Sequence, residues 1–493
     1  MSDSTHDAHA RFRFSVIGAL LSSPPRKGEL QSRLKELADR TWKHPLTGEP
    51  RRYGFQTIER WFYIARSADN PVRALRRRIR KDVGRRRSIS AAFDQAARAQ
   101  YSRDPDWSRQ LHYDNLRVLC QSDVTLGPPP SYPSFVRYMN SIGLPRRKRR
   151  RTSRPGRERS RAVFEERETR SFEADYVGAL WHLDFHTSSI PVLTSSGSWK
   201  KPDLFAVLDD HSRLCCHAQF YFSETTEDLV HGFSQALLKR GLPRELMSDN
   251  GSAMLAGEFT QGLSRLSIEH QTTLAYCPEQ NGKQEHFWAV VEGRLMAMLR
   301  RVCDLSLERL NLALQAWVEQ GYHRSIHSEI HTTPLDRYRN SASDVSRPPP
   351  EIDTLRDVFR VQVPRKQRQS DGTFTLPGVR FEVPSRYRQL RDLSVRYARW
   401  DLGYVHLVDP RTDTLLARVF PLDRSKNASG QRRRIEQSTV PDHQATIDSE
   451  ELPPLLEKYL QDYAATGLPP SYLPKVARHG GDEDSTRAEE RTN

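Results

Sequence analysis

Cysteine is scarce in this chain. The 493 residues include five, Cys120, Cys215, Cys216, Cys277 and Cys303. They are scattered and form no CxxC pair, so neither a disulfide scaffold nor a cysteine-based zinc site is expected, and a reducing compartment, the cytosol, fits best. Long apolar runs are also missing. The nearest approach, Val16 to Leu21, is interrupted by Gly18 and falls far short of the ~18 residues that cross a bilayer. No apolar segment of the secretory type follows the amino terminus, so export is not expected either. Apolar residues make up 36%, and the 25 glycines raise this to about 41%, slightly under the usual globular share, which predicts genuine cores joined by polar linkers. At roughly 150 residues per domain, the length suggests about three domains.

Negative charge is in short supply: 62 acidic residues face 77 basic ones, a formal net of +15. The excess is concentrated. Nine of the fifteen residues from Arg73 to Arg87 are basic, as are ten of the sixteen from Arg146 to Arg161. Such runs are often solvated linkers. Here each follows a helical segment with the pattern of a DNA reader, so both read as arms that track phosphates, with Arg146, Arg147, Lys148, Arg149, Arg150 and Arg151 as candidate contacts. From Ile435 to Asn493 the balance inverts, with twelve acidic and five basic residues, a net of −7 that leaves +22 on the remainder.

The first block, 1–72, places Phe12, Val16, Leu20 and Leu21 on one helical face and Leu30, Leu34 and Leu37 on another. After a turn-rich stretch (HPLTGEPRRYG) comes FQTIERWFYIA, from Phe55 to Ala65, which mixes apolar anchors with Gln56, Thr57 and Arg60. This order suits a helix-turn-helix whose last helix reads DNA, although a small three-helix bundle of other use has the same pattern. A basic linker, 73–88, leads to a second block, 89–145, with helices over Ala91 to Tyr101 and Ser108 to Gln121. A third helix, Ser134 to Ile142, carries Arg137 as a candidate reader. A second basic linker covers 146–175.

From Gly178 the texture becomes mixed α/β: three strands, helix, strand, helix, strand, helix. Asp184 lies inside the first strand, LWHLDFH. Asp249 closes the fourth and is followed by Asn250-Gly251, and Glu285 stands in the first turn of the last helix, 36 positions beyond Asp249. Carboxylates brought close together repel one another unless a divalent cation neutralises them. Mg²⁺ takes one or two carboxylates plus waters and phosphate oxygens, and two such ions about 3.5–4 Å apart serve phosphoryl chemistry. Asp209 and Asp210 are assigned to a turn, Glu292 to surface or packing, and Glu279 to a loop. His182 and His186 share one strand face without an HExxH helix, which favours packing or phosphate contact over zinc.

The segments WHLDFH, LDDHSR, SDNGSAM, YCPEQNGKQEHF and YHRSIHSEIHTTPLDRY, spread over about Gly178 to Tyr338, resemble the DDE core of retroviral-integrase-like transposases. The resemblance implies an RNase H-like core at 176–340, a mixed five-stranded sheet with helices, and Mg²⁺- or Mn²⁺-dependent polynucleotidyl transfer with two ions per site. It makes Asp184, Asp249 and Glu285 the catalytic, metal-holding triad. Asn250 and Gly251 form its turn, Asn281, Gly282 and Lys283 its helix start, and Asn250 and Lys283 contact DNA.

A linker at 341–365 is expected to lead to short, regularly spaced strands (TFTL, VRFEV, SVRYA, YVHLV, LLARVF) that read as a small β-barrel at 366–425, similar to the one that follows the core in Mu-phage-type transposases. Those work with a separate AAA+ ATPase that selects the target. In the acidic tail, 426–493, Leu455, Leu456, Tyr459, Leu460 and Tyr463 make an apolar stripe at helical spacing, read as a helix that docks a partner, the ATPase being the natural occupant.

The whole reads as a multidomain α/β protein with N-terminal helix-turn-helix domains, a catalytic core and a C-terminal barrel. The expected function is that of a transposase which binds transposon ends, cleaves to free 3′-OH ends and joins them to target DNA by strand transfer. It would be multimeric on double-stranded DNA, without a membrane partner, in the cytoplasm with the nucleoid. A catalytically inactive regulator of transposition and an RNase H-type nuclease are the alternatives.

Overall fold

The computed structural model describes residues 3–76, 89–144, 173–194, 196–273, 282–341, 346–423 and 452–475. The chain divides into two compact units, Met1–Ile89 and Ser90–Asn493. The arm residues Arg146 to Arg151, Asn281 of the helix-start motif and most of the first basic run lie outside the described residues.

In the first unit α1 (Asp3–Ser22), α2 (Leu30–Asp39), α3 (Phe55–Arg66) and the short α4 (Pro71–Ala74) surround Val16, Ile17, Leu34, Ile58, Trp61 and Phe62. The helical spacings of the sequence hold, but the connection from α2 to α3 is not a tight turn. Trp42–Lys43 (β1) pairs antiparallel with Pro50–Arg51 (β2), and the hairpin between them is closed by Gly48 at φ 73°. Only glycine adopts that left-handed conformation without cost. A two-stranded hairpin thus stands between α2 and α3.

The second unit opens with α5 (Ala91–Arg103), α6 (Arg109–Ser122) and α7 (Tyr132–Ser141). Ser90 and Ser108 cap the first two by accepting the amides of Phe93 and Leu111, which satisfies donors a helix start leaves open. This bundle is continuous with the central α/β region. Trp107 and Leu111 belong to the same apolar core as the helices behind the central sheet, the Trp107 indole donates to the Ala297 carbonyl at 3.1 Å, and Arg294 pairs with Asp114 at 2.6 Å.

The sheet is built from β3 (Leu180–Thr187), β6 (Asp203–Asp209), β7 (Cys215–Tyr221), β8 (Glu245–Ser248) and β9 (Glu269–Thr272), in the order β7-β6-β3-β8-β9. The first three run antiparallel; β8 and β9 run parallel to β3. Between β3 and β6 a hairpin of β4 (Val192–Leu193) and β5 (Trp199–Lys200) projects from the sheet end. On one face α8 (Thr226–Arg240) and α9 (Gly257–Arg265) pack on Trp181, Leu183, Phe205 and Val207. On the other, α10 (Gly282–Gly293), α11 (Leu295–Leu299) and α12 (Leu307–Trp317) pack on Leu204, Ala206 and Leu208. Covering both faces is why LFAVL is apolar without alternation.

After α13 (Pro334–Arg339), the stretch expected to be a linker holds α14 (Ile352–Val358) and β10 (Val361–Lys366). Leu355 and Phe359 sink into the α8–α9 core, which gives this stretch a packing role. The barrel strands follow as β11 (Thr373–Leu376), β12 (Val379–Glu382), β13 (Asp392–Ala398), β14 (Asp401–Val408) and β15 (Leu415–Pro421), ordered β10-β13-β14-β15-β12-β11. The Arg368↔Thr373 bridge brings the two ends together, so the six strands nearly close. Pro364 lies in β10, which is terminal in the order, the position in which a sheet accepts proline.

The acidic tail also differs from expectation. α15 (Pro454–Ala464) lies on α6 and α12, with Leu455 and Leu456 buried in the core behind the sheet and Tyr459 and Leu460 packed against it; Tyr463 is buried too. The Leu455 amide donates to Asn115 Oδ1 at 3.1 Å. A helix of this length is marginal alone in water, but here the chain's own second bundle and core cover its stripe.

Candidate active site

Strand register decides where the two aspartates stand. Leu183 pairs with Ser248 on the neighbouring parallel strand, so Asp184 and Asp249 are the next residues on chains about 4.8 Å apart. Both are half-buried. The Asp184 carboxylate accepts the amide of Phe185 at 2.8 Å and faces the Trp288 indole N–H at 3.4 Å. Asp249 Oδ1 accepts the amide of Gly251 at 3.0 Å, and a Cβ at Gly251 would stand 3.1 Å from that oxygen. Glycine therefore lets the chain turn tightly against the carboxylate. Asn250 is exposed and spans the strand ends, donating to the Thr273 carbonyl at 3.0 Å.

Glu285 is exposed on the first turn of α10. Its neighbour Gln284 is fully buried and donates to the carbonyls of His182 at 3.2 Å and Ala206 at 3.1 Å, which pins the helix start across β3 and β6. One turn on, Trp288 reaches Asp184 and stacks on His186 (centroids 5.3 Å apart). Glu292 accepts from Ser189 N at 3.1 Å and Oγ at 2.5 Å and pairs with His186 at 3.5 Å. Burial raises its pKa, but the hydrogen bonds from His186 and Ser189 outweigh that and hold it low. Glu292 thus braces the helix. The structure sets the two aspartates side by side and α10 against them, but it does not gather all three acids. Among the described residues no three His, Cys, Asp or Glu side chains are grouped closely enough to hold a metal ion.

The other aspartates are saturated by the protein. Asp209 is fully buried and accepts from Gly178 N (2.7 Å), Ser212 N (2.8 Å) and Ser212 Oγ (2.5 Å); burial dominates and raises its pKa. Asp210 accepts from His182 Nε2 (2.6 Å), Ala174 N (2.7 Å) and Lys283. Burial pushes its pKa up, yet the bonds from His182 and Lys283 win and hold it well below the usual carboxylate range. Lys283, expected to meet DNA, is turned to this carboxylate, and burial lowers its pKa.

Of the expected readers, Gln56 and Arg60 are exposed and Thr57 is half-buried. Gln56 and Arg60 line a groove of about 570 Å³ on α3 with Glu59, Tyr63, Ile64 and Ser67. Arg137 is exposed on α7 and donates to the Pro133 carbonyl and Ser134 Oγ.

Sequence reasoning missed Gln284, Trp288 and Glu224. Gln284 and Trp288 lie three and seven residues beyond Asn281, inside or just past the motif that points to Glu285. Glu224 follows β7, where burial and then repulsion from Asp203 and Asp249 raise its pKa. No motif marks it; only the sheet order brings it near Asp249.

Residues 175–278, about a fifth of the chain, match the family model described as Integrase core domain. The match includes Asp184 and Asp249 and stops before Glu285. No curated protein matches the chain. Among solved structures, the simian T-cell lymphotropic virus intasome in complex with PP2A regulatory subunit B56 gamma is 17% identical, with 51% of this chain and 79% of that one covered at a TM-score of 0.31. The HTLV-2 integrase catalytic core domain in complex with magnesium (trimeric form) is 20% identical, with 34% and 99% covered at 0.28. The BIV integrase catalytic core domain is 20% identical, with 33% and 94% covered at 0.26. Likeness at this level assigns no role to any residue of this chain. The family match supports an integrase-type core with polynucleotidyl-transferase chemistry. No helix among the described residues is long and apolar enough to cross a membrane.

Proposed function

We propose that the chain is a DDE transposase that frees 3′-OH ends on transposon DNA and joins them to a target. The observation that carries this reading is the placement of Asp184, inside β3, beside Asp249, just past the end of the adjacent parallel β8, with α10 anchored against the sheet by Gln284. Both aspartates are half-buried, and they offer the hard oxygen donors that Mg²⁺ or Mn²⁺ takes; in this reading they hold the metal and Glu285 completes the set from α10. A metal held by these residues would supply Lewis-acid stabilisation of the negative charge that builds up on the phosphate oxygens. The chain's own residues do the rest. Gly251 and Asn250 fix the Asp249 carboxylate and the strand ends. Trp288 orients Asp184, and the Asp210–Lys283 pair holds the start of α10 on the turn that follows β6. Catalysis then comes from positioning and charge, with no covalent protein intermediate.

In the same reading α3 and α7 read the ends, with Gln56, Thr57, Arg60 and Arg137 as contacts, while Arg146 to Arg151 track phosphates and several copies assemble on DNA. A Mu-phage-type dependence on an AAA+ ATPase is part of the proposal. Because the chain's own core covers the stripe on α15, this reading does not use Leu455, Leu456, Tyr459, Leu460 and Tyr463 as the docking face. The test is incubation of the full chain with duplexes taken from the flanks of its gene, Mg²⁺ and plasmid. Nicked ends and joined products are expected; neither product under any divalent metal would overturn the proposal.

A further inference from the structure

The β4–β5 hairpin is absent from the motif-based reading of the core, and it carries an unusual surface. Trp199 is 58% exposed, and Lys200 and Lys201 beside it are exposed too. An exposed indole offers a broad aromatic face on which a planar partner can stack while its lysine neighbours supply charge.

The hairpin is held on three sides. Leu193 donates to the Leu305 carbonyl at 2.9 Å, Lys200 lies over the Phe222 ring at 5.5 Å, and Ser189 at its root binds Glu292 on the helix that carries Glu285. It leaves the sheet where Thr187 pairs with Asp203, three residues beyond Asp184. The sheet end itself is acidic, with Asp184, Asp203, Glu224 and Asp249, so the hairpin lysines bring positive charge to a rim that otherwise repels a phosphodiester backbone. A rigid aromatic flanked by cations is the combination on which single-stranded bases stack while the backbone is neutralised.

We infer that the hairpin is a nucleic-acid contact next to the reacting strand: Trp199 stacks on an unpaired base, and Lys200 and Lys201 hold the phosphates beside it. The inference rests on the polynucleotidyl-transfer reading and extends it to a residue class that reading does not use.

The probe is a fluorescein-labelled duplex of mixed sequence with a short thymine overhang, compared with its blunt form, titrated with the full chain. Trp199→Ala should weaken binding of the overhang duplex about tenfold and the blunt one much less, and Trp199→Phe should restore most of the loss. Lys200→Gln with Lys201→Gln should weaken both duplexes alike and flatten the salt dependence by about two units. Trp199 is exposed, so these variants should fold as the parent does, which thermal melting checks. Unchanged overhang binding by Trp199→Ala overturns the inference, as does a change in oligomeric state without a change in DNA binding, which would make the hairpin a contact between copies. Asp184→Asn, assayed beside them for nicking, separates the two ideas. If it still nicks, the transferase reading has failed whatever the hairpin does.

Discussion

Two pairs of aspartates occupy one sheet and meet opposite conditions. Asp209 and Asp210 are buried, and backbone amides, the Ser212 hydroxyl, a histidine and a lysine occupy their oxygens. Asp184 and Asp249 are half-buried and stand side by side on neighbouring strands, Asp184 accepting the amide of Phe185 at 2.8 Å and Asp249 that of Gly251 at 3.0 Å. The first pair supports the fold: burying a carboxylate costs heavily unless donors surround it. The second pair stays partly open to solvent at the place where the sheet brings acids together. Acidity alone did not separate the pairs. The difference lies in how deeply the fold buries each pair.

That contrast can be broken by substitution. Asp210→Asn removes the charge that Lys283 and His182 face in a buried site, and losing one partner of such a pair costs about 3–5 kcal/mol. Urea unfolding of the full chain should show it; a loss under about 1 kcal/mol would mean the buried pair is not structural. Leu456→Asp should cost about 3 kcal/mol, because it places an unpaired carboxylate where α15 meets α6 and α12. The same unfolding measurement checks it. An unchanged midpoint would return the helix to the role of a free docking element.

A smaller effect comes with pH. Burial lowers the pKa of His112, on α6, from 6.5 to about 4. Between those values the unfolded chain binds a proton that the fold refuses, so stability must fall as pH drops below about 6.5. From pH 7 to 5 the loss from this group is about 2 kcal/mol. Asp210, with its pKa lowered, contributes stability that is present above the unfolded value of 3.8 and lost only below it. Acid titration of the unfolding midpoint should therefore show the histidine loss first and the aspartate loss later. In Asp210→Asn the later loss should shrink and the earlier one remain.

Much of the core was legible because its signals are local. The apolar run LFAVL, the Asp249-Asn250-Gly251 turn and the helix after Lys283 each follow from short-range chemistry, and the chain order of strands and helices came with them. The β4–β5 hairpin was not legible, since two-residue strands carry no periodicity. The hairpin between α2 and α3 escaped for the same reason. β10 was hidden by Pro364, which argues against a strand wherever the edge is not known in advance. The tail shows the converse. Its stripe was read correctly as helical, but whether Asn115 and the core behind the sheet would cover it depends on contacts more than 300 residues apart in the chain. Glu224 and the Asp210–Lys283 pair are likewise products of sheet order and helix docking. The approach of Glu285 to the aspartates was anticipated from the family resemblance, whereas the structure establishes only the aspartate neighbours and the anchoring of α10.

The central claim is that Asp184, Asp249 and Glu285 act as one metal-dependent set while Asp209 and Asp210 do not. The most direct measurement is strand transfer by Asp184→Asn, Asp249→Asn and Glu285→Gln, each paired with its unfolding midpoint. Each substitution removes a charge and almost no volume, and metal-held charge stabilisation is worth several kcal/mol. Transfer should fall at least about a hundredfold in all three, with midpoints and DNA binding unchanged. Transfer above about a tenth of the parent in any one of them, from a protein that folds and binds as the parent does, would contradict the account.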